Sequence, residues 1–137
     1  MAIKNDIQDR SDIRKLVTAF YEKLLKEEEF RHLFLEVAEI DVLEHIDVLI
    51  DFWESVLFQV GKYKRDLVDI HLGLNQKYHF GLKEKHFKDW LEIFNSTVDD
   101  LFTGNKAKDA KDRALSLATI IKMNIDDLER RRLEFNN

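Results

Sequence analysis

Five histidines are the side chains in this chain that could offer a neutral ring nitrogen to a metal, and three of them, His71, His79 and His86, fall with Trp90 inside the stretch Leu67 to Phe94. There is no cysteine, which excludes a disulfide framework, a zinc ribbon, an iron–sulfur cluster and any thiolate-ligated haem. The chemical question is whether one histidine, His71 foremost, is simply core or reaches a metal-bearing cofactor in an aromatic pocket. Rings to build such a pocket are abundant: ten phenylalanines, three tyrosines and two tryptophans. A second metal-type spacing, Glu29-x-x-His32, is the unit that di-iron four-helix bundles take from each of two helices, together with two further glutamates, but here it occurs once.

The elements that must position these residues read as helices. A length of 137 residues at 45% hydrophobic content suits one compact domain, with a core over about 11–125 and a charged C-terminal helical extension. Proline is absent and glycine occurs four times, so the chain can be cut at few places, which is the profile of an all-α protein. The polar start MAIKNDIQDR lacks the apolar run of a signal peptide, and no stretch is long enough to cross a bilayer, so the expectation is a soluble cytoplasmic protein with no membrane partner. A net charge of -5 argues against a nucleic-acid partner, which calls for a basic face.

In chain order, Asp6 or Ser11 can cap a first helix whose apolar positions Ile13, Leu16, Val17, Phe20, Leu24 and Leu25 recur at three- and four-residue steps, with Tyr21 beside the stripe. Phe30, Leu33, Phe34 and Val37 mark a short helix or turn closing one side of the core. Asp41 and Glu44 resemble a capping box for a helix whose face is Val42, Ile46, Leu49, Trp53, Val56 and Val60, ending at Gly61. His45 falls at the edge of that face, where it can look inward or swing to solvent. Asp66 can cap a short helix Leu67 to Leu72 around His71, stopped by Gly73 and Asn75. A loop then leads to a long helix through Phe87, Trp90, Leu91, Phe94, Val98, Leu101 and Phe102, ending at Gly104, with Trp90 on its flank. The last helix presents Ala107, Ala110, Ala114, Ala118, Ile121 and Ile125, a small-residue face that permits close helix approach. By periodicity alone, a cofactor-free helical interaction module, with Trp53, Trp90 and the phenylalanines as plain core, fits as well as a cofactor protein.

Several segments together resemble the group III truncated haemoglobins: AFYEKLL with Tyr21, EHIDVLIDFW with His45, VDIHLGL with His71, HFKDWLEIF with Trp90, then STVDDLF and the alanine-rich RALSLAT. The resemblance spans roughly Ser11 to Ile125 and implies helices stacked two over two around one haem b. The family's distal tyrosine, distal-helix histidine, proximal histidine and pocket tryptophan fall on Tyr21, His45, His71 and Trp90, and its corner phenylalanine on Phe34. The glycine pairs of groups I and II are missing, as in group III. The loop NQKYHFGLKEK departs from the family in lacking proline, which leaves His79 as a weak rival for iron, while His86 reads as a helix-start or surface histidine.

The resemblance implies a metal ligand at His71 and a cofactor-binding set of His71, Tyr21, Phe34, His45, Leu49, Trp53 and Trp90. Tyr21 and Trp90, with His45 at the gate, would stabilise a polarised diatomic ligand, dioxygen first. Lys62, Lys64 and Arg65 are candidates for the haem propionates, and equally for a solvated charge cluster. Reversible ligand binding is the leading expectation. Oxidation of nitric oxide or peroxide-driven chemistry is the lesser one, since it would need an electron-donating reductase.

Overall fold

The computed structural model describes residues 3–38, 41–59 and 82–135, and no strand occurs among them. The helices are α1 (Arg10–Leu24), α2 (Glu28–Arg31), a π-helical segment (His32–Val37), α3 (Val42–Phe58), α4 (Glu84–Leu101) and α5 (Asn105–Phe135). The expected helix Leu67 to Leu72, with Asp66, His71, Gly73, Leu74 and Asn75, lies outside the described residues, as do Val60, Gly61, Lys62, Lys64, Arg65, His79 and Gly81.

Neither Asp6 nor Ser11 caps α1. Asp9 does so, its carboxylate accepting from the Asp12 N–H at 3.0 Å, while Asp12 accepts from the Gln8 N–H at 2.9 Å. One turn buries Ile13, Leu16 and Val17, and the next adds Phe20, Tyr21 and Leu24, so Tyr21 belongs to the buried stripe itself. Asp6 instead serves the far end of the chain. Its two carboxylate oxygens accept from the Lys106 and Ala107 N–H groups, both at 2.9 Å, satisfying donors that the first turn of α5 leaves open. Gly104 makes that approach possible: at φ +136° a side chain is strained, and a Cβ would lie 2.5 Å from Asp6 Cγ.

Asp41 caps α3 by accepting from the Glu44 N–H at 3.2 Å. The helix ends at Phe58, earlier than expected from Gly61, and is followed by Gln59 as a left-handed cap at φ 57°. Its buried residues are Ile50, Phe52, Trp53 and Leu57, whereas Ile46, Leu49 and Val56 are half-buried. The mean direction of the buried face is therefore turned by about 35° from the one the spacing suggests, at 100° per residue. The reason is that α3 packs on α1 and on α5 at once, so the edge between those two neighbours is buried deepest. Along α5, Ala107, Ala110, Ala114, Ala118, Ile121 and Ile125 are all buried, as the small-residue face requires. The preceding helix stops at Leu101, with Phe102 extended, rather than running to Gly104.

α1 packs on α3 and α4, α4 on α5, and α3 on α5, which stacks one helix pair over the other. Polar clamps tie these contacts at their margins. Arg10 reaches Asp51 and Glu54, each at 2.9 Å, across the α1–α3 contact. Lys106 donates to the Leu57 carbonyl at 2.7 Å and lies 5.4 Å from the Phe58 ring centre, placing a cation on the carboxyl end of α3 where the helix dipole favours it. Among the described residues, no helix is long and apolar enough to cross a membrane.

Candidate functional site

Residues from three separate segments meet inside this stack. The Tyr21 ring, 4% exposed, lies 5.4 Å from the His45 ring in an edge-on contact and 5.5 Å from the Phe34 ring. Phe34 and His45 are themselves 6.1 Å apart, which closes a triangle of α1, the π-helical segment and α3. Phe34 reaches this position because the wide π-helical turn re-aims the side chains that follow α2; such turns are uncommon and recur at functional sites.

Trp90 joins through Phe20. Phe20 is edge-on to Tyr21 at 5.5 Å, to Trp90 at 5.6 Å and to Phe94 at 5.3 Å. Phe94 in turn lies between the two tryptophans, 5.6 Å from Trp90 and 4.9 Å from Trp53, with planes inclined by only 7° and 17°. The result is a column of three near-parallel rings beside the Tyr21–Phe34–His45 triangle. Leu49, half-buried on α3, completes the described members of the expected set; His71 lies outside the described residues. Phe20 and Phe94 were legible only as core positions, although the four-residue step from Trp90 to Phe94 is the spacing at which helical side chains meet.

The polar chemistry here is sparse and specific. Burial pushes the Tyr21 phenol well above its ordinary value, with no charged or hydrogen-bonding partner contributing. It is therefore a neutral O–H donor throughout the physiological range. Neither that hydroxyl nor the indole N–H of half-buried Trp90 is hydrogen-bonded to a described residue. Two uncharged donors in an aromatic, apolar setting suit a small ligand with partial negative charge better than a fully charged anion, whose desolvation they would not offset.

The other histidines are engaged elsewhere. His86, expected at a helix start or on the surface, is buried at the start of α4: its Nδ1 accepts from the Lys83 N–H at 2.8 Å and its Nε2 lies 2.5 Å from Glu29 Oε1. His32 pairs with Glu36 at 2.6 Å. The Glu29-x-x-His32 spacing thus diverges into two separate pairs, and among the described residues no three His, Cys, Asp or Glu side chains are grouped to hold a metal ion.

The described helices thus form an all-α stack of two helix pairs packed around an aromatic cluster. No protein-family model matches the chain, nor does any curated protein sequence. Among solved structures it is similar to the crystal structure of a group III truncated hemoglobin from Campylobacter jejuni, at 22% identity and a TM-score of 0.77, over 90% of this chain and 95% of that one. The fold is that of a truncated haemoglobin.

Proposed function

We propose that this chain is a haem protein that reversibly binds a small diatomic ligand, dioxygen being the leading candidate, with Tyr21 and Trp90 as the distal hydrogen-bond donors. The observation that carries the reading is the convergence of Tyr21, Phe34 and His45 beside Trp90, with two donors left without a described partner. Haem b, if bound, would supply an iron able to take a protein imidazole and, reversibly, a diatomic ligand. His71 is the residue assigned to the imidazole position. Leu49, Trp53, Phe34 and the half-buried apolar edge of α3 supply the slot walls and keep water scarce, which strengthens the donors' hydrogen bonds. His45, half-buried against Tyr21 and Phe34, would gate entry.

The test is the absorption spectrum of the purified chain. A strong Soret band is expected, lost in His71→Gly and regained on adding imidazole, whereas His79→Ala and His86→Ala leave it nearly unchanged. Normal haem retention by the His71 variant, or a colourless wild-type chain that takes up no haem, would sink the proposal. Turnover of nitric oxide or peroxide would draw on the same donors and require an electron-donating reductase. A steady-state assay with a generic flavin reductase separates it from simple binding.

A further inference from the structure

The segment that carries Phe34 is thinly anchored by apolar contacts. Across residues 28–36, Phe30 and Leu33 are buried and Phe34 half-buried, while Glu28, Glu29, Arg31, His32, Leu35 and Glu36 are exposed. A π-helical turn held by so few apolar side chains needs another constraint to keep one position, and α4 provides it through His86.

The His86 ring is nearly sealed, its side chain 8% exposed against 44% for Glu29. Its Nδ1 accepts the Lys83 N–H, so in the neutral ring the proton must sit on Nε2, which then donates to Glu29 Oε1 at 2.5 Å. A rigid, buried donor on α4 thereby grips an exposed carboxylate on α2. From the same imidazole a series of ring contacts runs inward: edge-on to Phe30 at 6.3 Å, from Phe30 to Phe34 at 6.5 Å, and from Phe34 to Tyr21 at 5.5 Å and His45 at 6.1 Å. One helical turn beyond His86 on α4 stands Trp90, so the same end of that helix presents one donor and holds the wall facing the other.

We propose that Glu29 and His86 form a positioning tether that holds the Phe30–Phe34 wall against Tyr21 and His45 and so sets ligand access to the pocket. The functional half of this statement rests on the ligand-pocket reading above; the tether itself does not. Neither residue touches the ligand. Lys85, 3.8 Å from Glu29 on the exposed side, adds a weak second contact that the tether does not depend on.

The experiment varies Glu29 and leaves His86 in place, so that the cap of α4 is kept. In the chain as purified, Glu29→Ala should speed amide hydrogen exchange over residues 28–38 by about tenfold, the loss of one charge-assisted hydrogen bond, and leave 105–125 unchanged. It should also weaken magnetisation transfer between the Phe34 and Tyr21 rings. In the haem-loaded chain, carbon monoxide entry should quicken several-fold and its stretching band broaden. Glu29→Gln, which keeps an acceptor oxygen, should restore all four readouts towards wild type. Unchanged exchange and ring contacts in Glu29→Ala, or faster exchange spread evenly over α4 and α5, would overturn the tether. Altered exchange with unaltered carbon monoxide entry would overturn its role in access. A wild-type chain that takes no haem would refute the pocket reading, and the exchange and ring-contact results would still decide the tether.

Discussion

The Tyr21 and Trp90 rings both lie edge-on to Phe20, at 5.5 and 5.6 Å, and in the proposed site their two donors would serve one ligand. A neutral hydrogen bond contributes roughly 0.5 to 1.5 kcal/mol net and one to a charged partner about 1.5 to 3. Tyr21→Phe and Trp90→Phe should therefore each speed dioxygen release by about tenfold or more, and carbon monoxide release much less, since bound carbon monoxide carries little charge. With both donors acting on one ligand, as proposed, the double variant should depart from additivity. Stopped-flow release of both gases reads this, and equal effects on the two gases would mean that the pair is structural. His45 is one corner of the Tyr21–Phe34–His45 triangle. His45→Ala should change entry rates more than the ferrous spectrum; a bis-histidine spectrum abolished by that substitution would show His45 to be an iron ligand instead of a gate.

At the scale of the element, the start of α5 is built from two distant pieces of chain. Burial raises the Asp6 pKa, but hydrogen bonds from the Lys106, Ala107 and Ile7 N–H groups, with the Lys106 charge, outweigh it and leave the carboxyl below its ordinary value. A carboxylate with a depressed folded pKa stabilises the fold fully above its unfolded pKa, and that stabilisation is lost as pH falls through the folded value. Asp6→Asn should therefore flatten the decline of stability below about pH 4, and Asp6→Ala should cost about 1 to 2 kcal/mol at neutral pH, as loss of an N-cap does. Urea midpoints measured from pH 2 to 7 check both, and parallel pH profiles for wild type and Asp6→Asn would contradict the assignment. Gly104→Ala meets Asp6 and an adverse φ together, so it should cost more than about 1 kcal/mol.

For the whole molecule, the aromatic column and the triangle lie where α1, α3, α4 and the π-helical segment converge. A cofactor seated among them would bind the folded chain and not the unfolded one. Haem at 100 times its dissociation constant should then raise unfolding stability by about 2.7 kcal/mol, seen as a rise of several degrees in melting temperature. Calorimetry of the chain with and without haem measures it. No shift, in a chain shown to be folded, would favour the cofactor-free helical module.

Local pattern alone determined the helical class, the buried face of α5 and that of α1 except for Tyr21 and Leu25, because three- and four-residue spacing and a run of alanines depend on nothing beyond a helix's own geometry. The resemblance between short motifs and the truncated haemoglobins singled out Tyr21, Phe34, His45 and Trp90, and the fold draws the first three together and sets Trp90 one ring away. Other features needed contacts between residues far apart in the chain. Asp6 looked like a cap for the nearest helix and instead caps one that starts 99 residues later, since a carboxylate goes wherever open N–H groups are brought to it. The buried face of α3 turned towards Ile50 and Leu57 because two neighbours, rather than one, press on that helix. His86 and Glu29, 57 positions apart, carry no mark in the sequence of the bond between them; only the packing of α2 against the start of α4 makes one the partner of the other.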